Sequence, residues 1–390
     1  MQAIESLPFT SRRTLGRPDF LMILAAAALS AVGLIMIYTV TAPRLEAAGV
    51  DPSGDMVRQA IFMGAGVVAF VVASLFSDRQ WKALAPLAYV GTIVLLLVVL
   101  TPLGALHQGA QRWIALGPID IQPSELAKPA MILALAAVLS SSEVTRVGWR
   151  RILQTVVIVA VPSVLIFVQP DLGTMLVFGF VLVVMLFAAG ATMRQLALLG
   201  LGAIIALVIA FQLDILKDYQ LDRLTGFLNN GQSELRLNYN QVQSQIAIAS
   251  GGLFGRGLSQ GTQTNGAFVP AQRTDFIFTA LAEQLGFVGS ALVLGLFALV
   301  VWRLLMTAAA ARDRFGYLLA VGAAAMVTFH VFVNVGMTQR LMPVTGLPLP
   351  FMSYGGSFYL AMALTLGMCH AVWLRRSRVP GERFLDRVAR

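Results

Sequence analysis

Residues 20–40 read FLMILAAAALSAVGLIMIYTV, a run without one charged side chain. At 1.5 Å of rise per residue, about 20 apolar residues cross the roughly 30 Å hydrocarbon core of a bilayer. The stretch is therefore read as a membrane-spanning helix. Arg12, Arg13 and Arg17 precede it in the manner of a signal peptide. Its apolar part, however, is about twice a typical h-region and lacks a clear small-residue cleavage site. It is read as a retained first span.

Comparable runs follow. Together they place spans near 19–40, 58–76, 82–101, 123–140, 151–168, 172–190, 194–212, 276–302, 315–336 and 353–374. Gln169-Pro170-Asp171 separates two of them, since Pro lacks an amide donor and Asp is costly in lipid. The expectation is an all-α polytopic membrane protein with ten transmembrane helices, one domain over 1–390. A long extracytoplasmic loop, about 213–274, lies between helices 7 and 8. Composition agrees: 57% of residues are hydrophobic and 12% charged, about half the ~25% charged share of a soluble domain.

The net charge of +9 is not a nucleic-acid signal, because the basic residues lie in short segments between apolar runs rather than in one patch. With the N-terminus inside, Arg12, Arg13, Arg17, Arg79, Lys82, Arg146, Arg150, Arg151, Arg194, Arg303, Arg312, Arg314 and the arginines after Leu374 are all cytoplasmic. Both termini then lie inside. A basic rim of this kind also attracts anionic membrane lipid. Cys369 is the only cysteine, so no intramolecular disulfide forms. His107, His330 and His370 are scattered, and no HExxH, Walker A or DxD motif is present.

Within the long loop, Tyr239 to Ser250 places Val242, Ile246 and Ala249 at helical spacing, which suggests an amphipathic helix on the membrane surface. Gly251 to Gly257 then reads as a flexible turn region, not a phosphate loop, because no strand precedes it.

Polar residues at membrane depth carry the functional signal. Arg112 precedes Pro123-Ser124-Glu125-Leu126-Ala127-Lys128, where Glu125 and Lys128 share a helix face. They form either a salt bridge that eases insertion or, with Arg112, an anion site in which Glu125 holds Lys128. Asp171 in Gln169-Pro170-Asp171-Leu172-Gly173-Thr174 is a helix cap or a site residue. Asp275 in Arg273-Thr274-Asp275-Phe276 is an N-cap or, with Glu283 deeper in the same run, one of two acids facing a polar cavity. A carboxylate there near cations can act as a general base. Residues 339–357, QRLMPVTGLPLPFMSYGGS, hold Arg340 and Ser353 among prolines and glycines that forbid a regular helix. They form a surface loop or line a cavity.

At Arg112-Trp113 with Gln122 to Glu125, Gln169 to Thr174, Gln243 to Gln263, Thr274 to Phe278 and Pro343 to Ser357, the chain resembles the SEDS family (shape, elongation, division and sporulation). The match covers most of the chain, in the family's order. Ser244 to Gly252 followed by Gly261-Thr262-Gln263 is more similar to the RodA branch than to the FtsW branch. The resemblance implies a ten-helix glycosyltransferase of the bacterial inner membrane that polymerises the lipid-linked disaccharide pentapeptide, lipid II. It implies Asp275 as the essential acid, Glu125 and Lys128 as an important pair, and Arg112 as a cavity arginine. Ala271, Arg273, Gln284 and Phe358 depart from the family pattern, which leaves the roles of neighbouring positions open.

The mechanism these residues allow has Asp275 deprotonating the acceptor hydroxyl while Lys128 and Arg112 hold the donor diphosphate. Asp171, Glu283, Arg340 and Ser353 are further candidate substrate-binding residues. A divalent cation, Mg or Mn, is a candidate addition with ligands not legible in sequence, and no organic cofactor is called for. Ser124 and Lys128 are too far apart for an Ser-x-x-Lys acyltransfer motif. The implied partner is a class B penicillin-binding protein, which would cross-link the strands. The rival readings are a lipid II flippase and a non-catalytic scaffold.

Overall fold

The computed structural model describes residues 16–107, 110–117, 119–141, 147–213 and 239–376. Helices α1 (Phe20–Ala47), α2 (Gly54–Leu75) and α3 (Asp78–Val99) come first. Strands β1 (Gly104–His107), β2 (Ala110–Leu116) and β3 (Ile119–Ile121) follow, then α4 (Pro123–Leu139), α5 (Trp149–Val168), α6 (Leu172–Ala188) and α7 (Met193–Gln212). After them come α8 (Tyr239–Gly251), α9 (Thr262–Asn265), α10 (Ile277–Ala310), α11 (Arg314–Thr338) and α12 (Gly356–Leu374).

Each expected span falls on a helix. Eight are long and apolar enough to cross a membrane by length and composition. The other two, α4 and α6, have 17 residues each, about 26 Å of helix. Several helices outrun the apolar runs that announced them: α1 continues to Ala47 and α10 to Ala310. Helix starts follow ordinary capping chemistry. Asp19, Asp171 and Asp313 cap α1, α6 and α11, and Ser77–Gln80 and Thr192–Gln195 form capping boxes on α3 and α7.

The core lies where α4, α11 and α12 meet, with α2, α3, α6 and α10 packed around them. The peripheral helices turn apolar side chains outward, among them Val67, Val68, Leu87, Val164, Leu201 and Ile204. Surfaces this apolar are stable in lipid rather than water. Helix α7 is the extreme case: it has no buried residue.

Three features depart from the sequence expectation. First, residues 104–121 fold as an antiparallel sheet in the order β1-β2-β3, where no strand was foreseen. Second, the expected loop of 213–274 is in part structured, its residues 214–238 lying outside the described ones. Helix α8 forms at the expected place, with Ile246 exposed and Gln241, Ser244, Ala247 and Gly251 as the face buried in the protein. The polar face packs inward against α10 and α11 because Gln241 donates to Met337 O (3.0 Å) and Met342 O (2.8 Å), and Ser244 Oγ donates to Thr338 O (2.7 Å).

Third, the glycine-rich turn is pinned to a break in α10. Gly286 has φ +66°, so the helix's own hydrogen bonds lapse there. The amides of Arg256 and Gly257 donate to the carbonyls of Glu283 (3.0 Å) and Gln284 (3.1 Å). The amides of Phe287 and Val288 donate to those of Gly252 (2.9 Å) and Leu253 (3.0 Å). The turn thus satisfies backbone groups that burial would otherwise make costly.

Candidate functional site

The starts of α4, α6, α10 and α12, the sheet and the 339–355 segment gather at one end of the bundle. At the start of α4, Pro123 takes the first helical position and Glu125 lies in the first turn, where the helix dipole favours an acid. Lys128, one turn on, donates from Nζ to Glu125 Oε2 at 2.8 Å. Lys128 is fully buried and Glu125 only 5% exposed. Such a pair resists separation, since removing one partner strands a charge in a low-dielectric interior.

Asp171 caps α6 as expected of an Asp at that turn: Oδ1 accepts from Thr174 N (3.2 Å) and Oδ2 from Thr174 Oγ1 (2.8 Å). It also accepts from Ser124 Oγ at 3.3 Å, joining α6 to α4. Arg112 on β2 donates from Nε to Gln169 O (2.8 Å) and from Nη2 to Pro170 O. Its guanidinium therefore closes the end of α5, and Nη1 takes part in neither bond. Arg112, Ser124, Glu125, Lys128 and Asp171 form one continuous cluster.

Asp275 lies in the turn before α10, half-buried. The backbone here is held carbonyl by carbonyl. Arg273 O accepts from Tyr354 N (2.9 Å), Thr274 O from Ser353 Oγ (2.5 Å), and Asp275 O from Asn334 Nδ2 (2.7 Å). Arg273 itself pairs with Asp55 of α2 and stacks 4.9 Å from the Tyr354 ring. The Asp275 carboxylate faces Gly346: a Cβ at that glycine would lie 3.6 Å from Oδ2.

The irregular segment 345–349 links the two clusters. On one side Gly346 meets Asp275. On the other, Gly173 of α6 approaches Thr345 O so closely that a Cβ would lie 2.7 Å from it. Asn334 donates its second amide hydrogen to Leu347 O (2.7 Å), and His330 Nδ1 donates to Pro348 O (3.1 Å). The His330 ring lies 5.1 Å from that of Phe358, over which Lys128 Nζ stands at 5.2 Å. A proline-rich stretch without regular structure is stable here because most of it is buried in protein and the carbonyls of Leu347, Pro348 and Leu349 are paired.

Two expectations about side chains are corrected. Glu283 does not face a cavity with Asp275. It is fully buried, and its oxygens accept from Gln263 N (2.8 Å), Thr264 N (2.9 Å) and Thr264 Oγ1 (2.6 Å), which fixes the start of α9. Ser353 is a brace: it accepts from Leu349 N (2.8 Å) while donating to Thr274 O. Arg340 follows α11 in a left-handed conformation, φ +60°. Sequence reading passed over Asn334 and set His330 aside, although both are polar positions inside an apolar helix.

Among the described residues, no group of three His, Cys, Asp or Glu side chains is arranged to hold a metal ion. A divalent cation here would draw most of its ligands from substrate phosphate and water, as Mg²⁺ commonly does.

The chain matches the cell cycle protein family that groups FtsW, RodA and SpoVE over residues 19–377. It is 36% identical to the stage V sporulation protein E of Bacillus subtilis, covering 92% of this chain and 97% of that one. It is also 36% identical to the peptidoglycan glycosyltransferase MrdB of Escherichia coli K12, covering 83% and 86%. Its fold is similar to that of a chain in a peptidoglycan synthase complex solved for the structural coordination of polymerization and crosslinking, with TM-score 0.77, 33% identity and coverage of 93% and 99%. The rod shape determining protein RodA of Thermus thermophilus is similar at TM-score 0.68 and 30% identity, covering 93% and 98%.

Proposed function

Because the chain belongs to the SEDS family of cell cycle proteins, which groups FtsW, RodA and SpoVE, we propose that it is a peptidoglycan glycosyltransferase that polymerises lipid II in the bacterial inner membrane. One observation carries the mechanistic reading. Asp275, at the position of the family's essential acid, faces Gly346, and Lys128 shares the Phe358 ring with His330, which bonds Pro348 O, so acid and cation lie to either side of the one 345–349 segment.

Charge bias makes this the outer end, with both termini cytoplasmic. Asp275 takes the proton from the 4-hydroxyl of the acceptor's terminal sugar as that oxygen attacks C1 of the donor. The C1–O bond to undecaprenyl diphosphate breaks, with inversion from α to β. Lys128 neutralises the leaving diphosphate, and Arg112 borders the same site. Alignment of the two lipid-anchored substrates supplies much of the rate.

A flippase needs a polar path through the membrane. Below Lys128, the core of α4 and α11 is instead apolar, filled by Met131, Ile132, Leu133, Leu135, Leu319, Ala320, Ala323 and Met326. A scaffold has no need of an acid and a cation held so rigidly.

The partner is a class B penicillin-binding protein. An apolar groove of about 580 Å³ between α10 and α11, lined by Leu294, Phe297, Val301, Val331, Phe332 and Val335, suits a single apolar helix of such a partner. The role is elongation rather than division, on the strength of Ser244 to Gly252.

The test is lipid II polymerisation by the purified protein with its cognate partner, comparing wild type with Asp275→Asn. Loss of a general base costs roughly 10²–10⁴-fold in rate. A folded Asp275→Asn enzyme of full activity removes Asp275 from the mechanism. No polymer from folded wild type returns weight to the flippase or scaffold.

A further inference from the structure

His330 and Asn334 are one turn apart on α11, and both are fully buried. Both spend their N–H donors on the backbone of the segment that separates Asp275 from Lys128: His330 on Pro348 O, and Asn334 on Leu347 O and Asp275 O. These bonds fix the chemistry of each side chain. A carbonyl only accepts, so His330 carries its proton on Nδ1 and presents a lone pair at Nε2. That Nε2 makes no hydrogen bond within the protein. A buried acceptor left so is costly, and its retention calls for a donor supplied at this point.

The cation nearby is Lys128. Its ammonium and the His330 ring stand against the same Phe358 ring, at 5.2 and 5.1 Å, and the two groups are within Coulombic reach. Lys128 has three donors, and Glu125 Oε2 takes one of them. No direct bond joins Nζ to Nε2. A group bridging them would have to accept from an ammonium and donate to an imidazole lone pair, which a water or a hydroxyl does and an ionised phosphate oxygen does not.

We propose that His330 is a positioning residue for Lys128: its Nε2 accepts from a water that in turn accepts from the ammonium. Glu125 and His330 then hold Lys128 from two sides, and its charge acts on the diphosphate from within the protein. The same histidine ties that cation, through Pro348, to the segment on which Asp275 rests. This inference depends on the proposed role of Lys128 in diphosphate binding.

The test measures lipid II polymerisation, by the complex with its partner, for wild type, H330N, H330Q, K128M and K128M/H330N, each with a thermal unfolding curve. Asn reproduces the Nδ1 donor and Gln offers an acceptor at the Nε2 position. The expected order is wild type, then H330Q, then H330N at least tenfold slower in kcat, with H330N unfolding close to wild type. The double variant is expected to be no slower than K128M alone, because coupled residues are not additive. H330N at wild-type rate beside a slow K128M overturns the inference alone, as do losses that multiply in the double variant. K128M at wild-type rate overturns the reading of Lys128 and the inference with it. If H330N unfolds, H330Q carries the test: a rate within a few fold of wild type supports the acceptor role, and a tenfold loss overturns it.

Discussion

Asn334 donates to the main-chain carbonyl of Asp275 at 2.7 Å, from inside a helix that begins at the opposite end of the bundle. Its other amide hydrogen goes to Leu347 O at the same distance. The acid is thereby fixed through its backbone carbonyl, and its carboxylate faces Gly346.

Asn334→Leu keeps the branched shape, at a larger volume, and removes both donors, stranding two carbonyls at about 1–3 kcal/mol each. The expected result is a lower unfolding temperature in detergent together with a loss of polymerisation per folded molecule. Unchanged unfolding and unchanged rate together would show that neither bond matters.

The Glu125–Lys128 pair makes a separable prediction. Glu125→Gln leaves a buried ammonium without its counter-charge, at about 3–5 kcal/mol, and Lys128→Met strands the carboxylate at similar cost. The double variant Glu125→Gln/Lys128→Met should unfold at higher temperature than Glu125→Gln alone, yet make no polymer. Stability and activity then move in opposite directions, which a purely structural salt bridge does not produce.

Glu283 is expected to behave in the opposite way. Its two oxygens each face a backbone amide, those of Gln263 and Thr264, so the amide of Glu283→Gln sets an N–H against an N–H. Bonds to a charged acceptor are worth roughly 1.5–3 kcal/mol. The unfolding temperature should fall while polymer made per folded molecule stays near wild type. A stable variant with lost turnover would restore Glu283 to the substrate.

These contrasts mark what could be read in the chain. The spans were legible because twenty-residue apolar runs admit few other structures. The capping role of Asp171 followed from the Pro-Asp break before an apolar run. The sheet escaped because strands of four, seven and three residues carry too little alternation to register beside long helices. Helix α8 showed its period and its apolar stripe of Val242, Ile246 and Ala249, but not that the protein would receive Gln241 and Ser244 on the other side. In a membrane the apolar stripe is the one that can face outward. Glu283 was misread because depth in a span does not distinguish a cavity from a loop folded back onto the helix. His330 and Asn334 form a polar i, i+4 pair within α11, a signal available in sequence and overlooked beside the denser clusters.

Within α10, two glycines divide the helix into a part that must bend and a part that need not. Gly286 has φ +66°, and a Cβ there would lie 2.2 Å from Gly255 N. Gly286→Ala combines left-handed strain of about 1–3 kcal/mol with a contact onto backbone that cannot move without losing the four hydrogen bonds of the glycine turn. Gly295 has nothing within 4 Å of a built Cβ, and Ala in a helix interior is favoured over Gly by about 1 kcal/mol. Gly295→Ala should therefore unfold at or above the wild-type temperature, and Gly286→Ala well below it. On the reading that the break sets where Ile277 and hence Asp275 enter the site, Gly286→Ala should also slow polymerisation in the molecules that remain folded, while Gly295→Ala leaves the rate unchanged. Equal behaviour of the two variants would mean that α10 tolerates straightening and that its bend does not set the position of Asp275.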